Sequence, residues 1–305
     1  MKYLIVGYGN IGHKRKAALG KNFIKTFDPN PQVDSDYRKL EEVPVNLFDT
    51  VIITTSQKPK YNLVKHFANK GKDLLVEKPL IINKQQYNVL SELVLKNKIT
   101  LYTAYNHRFE PNIVKLYKYI KSGSLGKLYH ARFVYSFGNI KERIGTWRET
   151  EFGVLEEIAP HLIDFAINWF GYKSSDFETL ISRKVESNIL DHWVFATKDK
   201  KILFETSSVT WKNVFSLDIY GEAGSVHLSG LRKWGGSQLI IRKRVLPSGI
   251  PKEKTYSDSG PDLTWKKDLA NYKKYLKNKS NTLKHDLEIS NALNSIISSS
   301  KILIK

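Results

Sequence analysis

The sequence has no cysteine, a single methionine, and no apolar run near the ~18 residues a membrane-crossing helix needs. Without cysteine there can be no disulfide, zinc–thiolate site, iron–sulfur cluster or thiol nucleophile. The opening run Tyr3–Val6 reaches Gly7 after four apolar residues, too short for a signal-peptide core, so the expected compartment is the cytoplasm and no membrane partner is expected. Acidic residues are also scarce, 30 against 49 Lys plus Arg in 305 residues, which leaves a net charge of +19. A hydrophobic content of 41% and an aromatic content of 12% exclude a disordered chain. At roughly 100–200 residues per domain, the length predicts two domains with cores of their own.

The positive charge is uneven. Residues 231–284 hold 14 Lys plus Arg and 4 Asp plus Glu, just over half of the excess. Arg232-Lys233 and Arg242-Lys243-Arg244 form one cluster, and Lys266, Lys267, Lys273, Lys274, Lys277 and Lys279 another. A nucleic-acid or anionic-membrane surface is the sharper reading. Solvated strand and helix faces are the plainer one, and it is favoured because no nucleic-acid-binding motif accompanies the charge. Lys273, Lys274 and Lys277 alternate with Tyr272, Tyr275 and Leu276, as an amphipathic helix dictates.

Up to residue 120 short apolar runs alternate with helical patterns. Tyr3–Val6, Phe23–Phe27, Thr50–Thr54, Asp73–Val76 and Thr100–Tyr105 read as strands buried on both faces, hence as a parallel sheet covered by helices. After residue 125 the segments Lys127–Phe137, Phe177–Glu186, His192–Thr197, Ile202–Val209, Phe215–Tyr220 and Ser225–Leu228 predict successive strands of an antiparallel sheet. One helix is expected near Pro160–Phe170, opened by Pro160, and another after Leu263. The fold class is therefore α/β, with the division placed in Ser122–Gly126: residues 1–122 and 123–305, the C-terminal helix packing back on the first domain.

Gly7-Tyr8-Gly9-Asn10-Ile11-Gly12 fits G-x-G-x-x-G between a strand and a helix, the context in which that spacing carries meaning. Gly7 permits the tight turn, Gly9 the approach of a pyrophosphate and Gly12 close packing, while the free N–H groups of the helix start attract an anion. Asp28, at the end of the next strand, suits the ribose hydroxyls of NAD and repels the 2′-phosphate of NADP; Pro29-Asn30-Pro31 adds no arginine. Glu77-Lys78-Pro79 follows a buried strand, where an α/β sheet opens its ligand crevice, and the bond before Pro79 is a candidate for the cis form. In Glu156–Asp164 a histidine, His161, stands among three carboxylates and is the general-base candidate; Glu157, four residues earlier, shares its face on a helix.

Taken in order, G-Y-G-N-I-G at 7–12, Leu75-Val76-Glu77-Lys78-Pro79-Leu80, Asn106-His107-Arg108-Phe109, Leu125-Gly126-Lys127, Trp147-Arg148 and Gly153-Val154-Leu155 leading into His161-Leu162-Ile163-Asp164 resemble the Gfo/Idh/MocA family of NAD(P)-dependent oxidoreductases. The resemblance implies a Rossmann domain followed by an α/β domain with a large, mainly antiparallel open sheet that commonly forms a homodimer or homotetramer interface. It implies a cofactor site that adds Thr54, Thr55, Ser56, Glu77, Lys78 and Asn106 to the glycine loop and Asp28. It also implies substrate contacts from Lys78, Arg108, Trp147, Arg148 and His161, and catalysis by Lys78 and His161, with Glu157 where many members have Asp.

Oxidising a secondary alcohol needs a hydride acceptor, a base and a cation for the developing alkoxide. NAD, His161 and Lys78 would supply these, Glu157 would orient His161, and neither metal nor nucleic acid is called for. The expected substrate is a sugar, free or nucleotide-linked, or a cyclic polyol. A reading from another class is a non-catalytic NAD-binding sensor or scaffold whose basic surface meets an anionic partner.

Overall fold

The computed structural model describes residues 1–146 and 148–304, in two compact units. The first comprises Met1–Asn106 and Leu263–Ser290, the second His107–Asp262 and Asn291–Lys305.

In the first unit, β1 (Lys2–Val6), β2 (Phe23–Phe27), β3 (Thr50–Ile53), β4 (Asp73–Glu77) and β5 (Leu101–Ala104) form a parallel sheet in the order β2-β1-β3-β4-β5. Helices α1 (Asn10–Leu19), α2 (Gln57–Asn69) and α3 (Lys84–Asn97) make the crossovers or follow them. The continuous apolar runs have their physical reason here. Leu4, Val6, Val51, Ile53, Leu74 and Val76 point to the face covered by α2 and α3, and Tyr3, Ile5, Ile52 and Leu75 to the opposite one. That opposite face is closed by α1 and by Leu269 and Tyr272 of α6 (Thr264–Asn278), so a segment from late in the chain completes the core. The strand order reverses between β1 and β3, and the glycine turn leaves β1 at this switch point, the ligand position in open α/β sheets.

A buried ion cluster joins three of these elements. Arg15 of α1 is 1% exposed; its Nε donates to Glu77 Oε1 at 2.6 Å and its Nη2 pairs with both Glu77 and Asp268, the latter at 2.7 Å. Its guanidinium stacks 4.9 Å from the Trp265 ring, and Tyr102 of β5 donates its hydroxyl to Asp268 at 2.6 Å.

The second unit is a nine-stranded sheet. Its strands are β6 (Leu128–Ser136), β7 (Phe177–Lys184), β8 (His192–Thr197), β9 (Ile202–Ser207), β10 (Val214–Gly221), β11 (Gly224–Leu231), β12 (Gly236–Lys243), β13 (Lys252–Asp258) and β14 (Ile302–Ile304). They lie in the order β13-β12-β11-β10-β6-β9-β8-β7-β14, antiparallel except where β6 meets β9 and β7 meets β14. Helix α4 (Pro111–Lys121) packs on β11 to β13, and α5 (Val154–Phe170) on β6, β8 and β9, burying Phe165 and Trp169 against Phe133. Helix α7 (Leu283–Ser298) contributes Asp286 and Ser290 to the first unit. Among the described residues no helix is long and apolar enough to cross a membrane.

Three differences from the sequence reading have physical causes. Helix α5 begins at Val154, which puts Pro160 in its interior rather than at its start. The nearly complete burial of its side chains outweighs the one hydrogen bond that proline withholds. Strands β12 and β13 go unforeseen because Gly235-Gly236 reads as a turn and Lys252–Asp258, an exposed edge strand, is polar at every position but Tyr256. The single helix expected after Leu263 is two, α6 and α7.

Replacing Arg15 with Leu leaves Glu77 and Asp268 buried without their cation. Removing one partner of a buried charge cluster costs about 3–5 kcal/mol. Urea denaturation at pH 8 should show a loss of that size in the first unit, and a loss within experimental error would show that the cluster contributes no stability.

Candidate functional site

The first unit carries the glycine turn. Gly7 has φ +87°, and a Cβ there would lie 2.9 Å from Thr55 Cγ2; a Cβ on Gly12 would lie 2.6 Å from the Gly7 carbonyl oxygen. Both glycines answer to packing within the protein. Gly9 does not: its φ is −80° and a Cβ would meet no protein atom within 4 Å. Gly9 caps α1 without a side-chain hydrogen bond, so Asn10 and Ile11 begin a helix whose first N–H groups are open to an anion.

Asp28 accepts the Tyr8 N–H at 2.7 Å and the Asn30 N–H at 2.9 Å, one on each carboxylate oxygen, which ties the end of β2 to the glycine turn. Each oxygen keeps further lone-pair capacity. Along the chain no arginine follows Asp28 closely, but in space Arg38 comes back to this loop, its Nη1 donating to the Asn30 carbonyl at 2.6 Å. Beside the turn, Lys16 Nζ stands 5.1 Å over the Tyr8 ring. Thr54 spends its hydroxyl on the carbonyls of Val6 and Gly7, Thr55 abuts Gly7, and Ser56 caps α2 without a side-chain bond. These residues, with the glycine turn and Asp28, fit a dinucleotide.

Lys78 is half-buried and stands at the end of β4, with a cis bond to Pro79. The Glu77 side chain turns inward to Arg15. Asn106 is buried, its Nδ2 donating to Thr264 Oγ1 at 3.1 Å.

The second unit gathers its own cluster around His161 of α5, which is 2% exposed. The His161 ring stacks on His107 at a centroid separation of 3.8 Å, with Tyr135 of β6 6.0 Å away. Lys233 donates to the Tyr135 hydroxyl at 2.8 Å, lies 3.5 Å from His107 Nε2 and covers the Trp234 ring at 4.6 Å. Burial drives the Tyr135 phenol above its ordinary value, Glu110 adding to the effect. Glu157 and His161 lie one helical turn apart, as expected, and the Glu157 carboxylate pairs with Arg143 while Arg148 Nε stands 3.7 Å from it. Arg143 is buried over the Phe137 ring, and burial, reinforced by Arg148, pulls its guanidinium down to about 10. Arg108 grips Asp164 in a two-pronged pair, Nε to Oδ2 at 2.8 Å. Trp147, expected at the rim, lies outside the described residues.

Sequence reading misses His107, Tyr135, Arg143 and Lys233 as members of this cluster. His107 stands inside a quoted motif, and its position between Asn106 and Arg108 was the available signal. Lys233 corrects the reading of the basic segment: Lys266, Lys267, Lys273, Lys274, Lys277 and Lys279 are exposed, yet Lys233 reaches the His161 cluster.

Comparison with known proteins finds two models of one family. The oxidoreductase-family NAD-binding Rossmann fold matches residues 1–105, and the GFO/IDH/MocA C-terminal domain matches residues 113–227. Oxidoreductase P35 of Formosa agariphila is 25% identical over 206 residues, 60% of each chain. Inositol 2-dehydrogenase of Rhizobium meliloti is 29% identical over 80 residues, 26% of this chain and 24% of that one. The solved structure of levoglucosan dehydrogenase with NADH superposes with a TM-score of 0.81 at 16% identity, covering 98% of this chain and 96% of that one. The chain spans about half the length of the first curated relatives it matches, from 43% to 60%.

Glu110, 2% exposed at the start of α4, makes the second unit sensitive to pH. Burial, with Asp262 nearby, pushes its carboxyl from 4.5 up to about 7. The folded state then holds a proton that the unfolded state has released, so this contribution to stability is complete below pH 4.5 and is lost as pH rises through about 7. In urea titrations from pH 5 to pH 8, Glu110→Gln should gain on the wild type as pH rises. Parallel curves would show that Glu110 does not titrate in this window.

Proposed function

Since the chain belongs to the Gfo/Idh/MocA oxidoreductase family, we propose that it is an NAD-dependent oxidoreductase acting on a secondary alcohol or ketone of a sugar, nucleotide sugar or cyclic polyol. The observation that carries this reading is Gly9, whose open face and uncapped helix start are free of any packing duty inside the protein. Similar proteins are named for levoglucosan and for inositol, which supports a polyhydroxylated substrate.

The glycine turn and the start of α1 would hold the pyrophosphate of the dinucleotide, and Asp28 the adenosine ribose. When bound, the nicotinamide exchanges a hydride with the substrate carbon. His161 takes the hydroxyl proton during oxidation and returns it during reduction, and its stacked neighbour His107 fixes the ring plane. Lys78 stabilises the negative charge that develops on the substrate oxygen. Arg143 and Arg148 hold Glu157, which anchors the turn of α5 that carries His161. Arg148 and Arg108 flank the substrate, Arg108 fixed by Asp164. NAD is preferred to NADP, because the Asp28 carboxylate, fixed beside the glycine turn, opposes a 2′-phosphate.

The test is incubation with NAD and a panel of polyols, sugars and nucleotide sugars, followed at the NADH absorbance. On any substrate that turns over, His161→Ala should lose about 10²–10⁴-fold in kcat, and Lys78→Ala about 10²–10³-fold. Wild-type rates in both variants would refute the assigned roles, and cofactor binding with no turnover on any member of the panel would favour the sensor reading.

Cofactor preference is tested separately by competitive titration. Asp28→Ala should shift the NAD:NADP affinity ratio toward NADP by about tenfold, the worth of one charge-assisted hydrogen bond. Equal affinity for the two in the wild type would remove the basis of the NAD assignment.

A further inference from the structure

Lys60 lies on α2 in the buried stripe Lys60, Val64, Phe67 and Ala68, at the spacing of a face turned to the core. It is 2% exposed. Its Nζ donates to the carbonyl of Glu77 at 2.9 Å and to that of Pro79 at 2.7 Å, the two residues that flank Lys78. One turn earlier on the same helix, Gln57 Nε2 donates to the Ile81 carbonyl at 3.0 Å. Side chains of α2 therefore hold the 77–81 segment through three of its carbonyls. On the other side Glu77 is fixed by Arg15, and the Ile82 N–H donates to Ser290 Oγ at 3.0 Å.

An apolar side chain would fill the same space without burying an amine. Burial first, and then the nearby charge of Lys78, pull the Lys60 ammonium down to about 7, against the attraction of Glu77 and Asp286. A neutral amine has two N–H groups, and two carbonyls accept from it. The strap therefore survives loss of the charge.

We infer that Lys60 is a positioning residue for Lys78: by bracketing its backbone at both flanking carbonyls, Lys60 fixes the turn that aims the Lys78 side chain. The inference rests on the role proposed for Lys78. A misaimed cation loses much of its stabilisation of a transition state while ground-state binding changes little.

The test has two readouts. The first needs no substrate: the folded protein is treated with acetic anhydride at pH 8, and acetylation of Lys78 is followed by peptide mass spectrometry against the exposed Lys266. In Lys60→Met the freed turn should let Lys78 react at least about threefold faster, with Lys266 unchanged. A wild-type rate at Lys78 in the folded variant overturns the inference. Should Lys60→Met not fold, Lys60→Leu, which likewise has no N–H donor for the two carbonyls, is read in the same way.

The second readout is a double-mutant cycle on any substrate that turns over. Lys60→Met should lower kcat by about tenfold with KM nearly unchanged, and should add less than about twofold in a Lys78→Ala background. Equal effects in both backgrounds overturn the positioning role. A wild-type kcat in Lys78→Ala alone would refute the role of Lys78 instead, and the labelling result would still decide whether Lys60 holds the turn.

Discussion

The buried guanidinium of Arg15 sets the internal order of the first unit. It sits one turn past the glycine motif, at the end of β4 through Glu77, and against α6 through Asp268. Two carboxylates removed from water need a cation between them, and a planar guanidinium answers both at once. The contact ties the helix that would bind a pyrophosphate to the strand end that carries Lys78. It also binds in α6, more than 180 residues away in sequence, so that the first unit is complete only when α6 is in place. The Trp265 face and the Tyr102 hydroxyl enclose the pair, which keeps water from competing for it.

The sequence makes the first unit readable because its signals are local. Strands buried on both faces must be apolar throughout, so Tyr3–Val6, Thr50–Ile53 and Leu74–Val76 could be little else. A glycine whose Cβ would meet the Gly7 carbonyl leaves its mark as Gly12. The second unit is less legible where burial is one-sided or absent. Strand β13 has no apolar face to advertise it, and its pairing with β12 is carried by the backbone ladder and the cross-strand Arg242–Glu253 pair. Proline in α5 misleads for the opposite reason: local propensity argues for a helix start, and packing of Leu155, Ile158, Leu162 and Phe165 overrules it.

The site divides along the same line. His161 and Lys78 stand in dense local patterns and can be picked out in one dimension. Their neighbours cannot. His107 meets His161 across 54 positions and Lys233 meets Tyr135 across 98, contacts that only the sheet and its helices bring about. Glu157 is an intermediate case: its helical spacing from His161 is legible, whereas its engagement by Arg143 depends on a loop whose course no periodicity reveals.

Net charge is the property that sequence reports most plainly and function uses least directly. Most of the basic residues between 231 and 284 are exposed or paired at the surface, as Arg242 is with Glu253. Such pairs at the surface contribute little, and their long-range field falls off within about 10 Å at ordinary salt. The cations that matter are those the fold removes from water and gives a fixed partner: Arg15 to two carboxylates, Arg143 to Glu157, Lys60 to two carbonyls. Each costs desolvation, and each can persist only where its hydrogen bonds are held in place by the surrounding structure. An excess of +19 therefore does not by itself select an anionic partner. Selection lies with the few charges whose positions are fixed, and these cluster at the glycine turn, at the end of β4 and around α5.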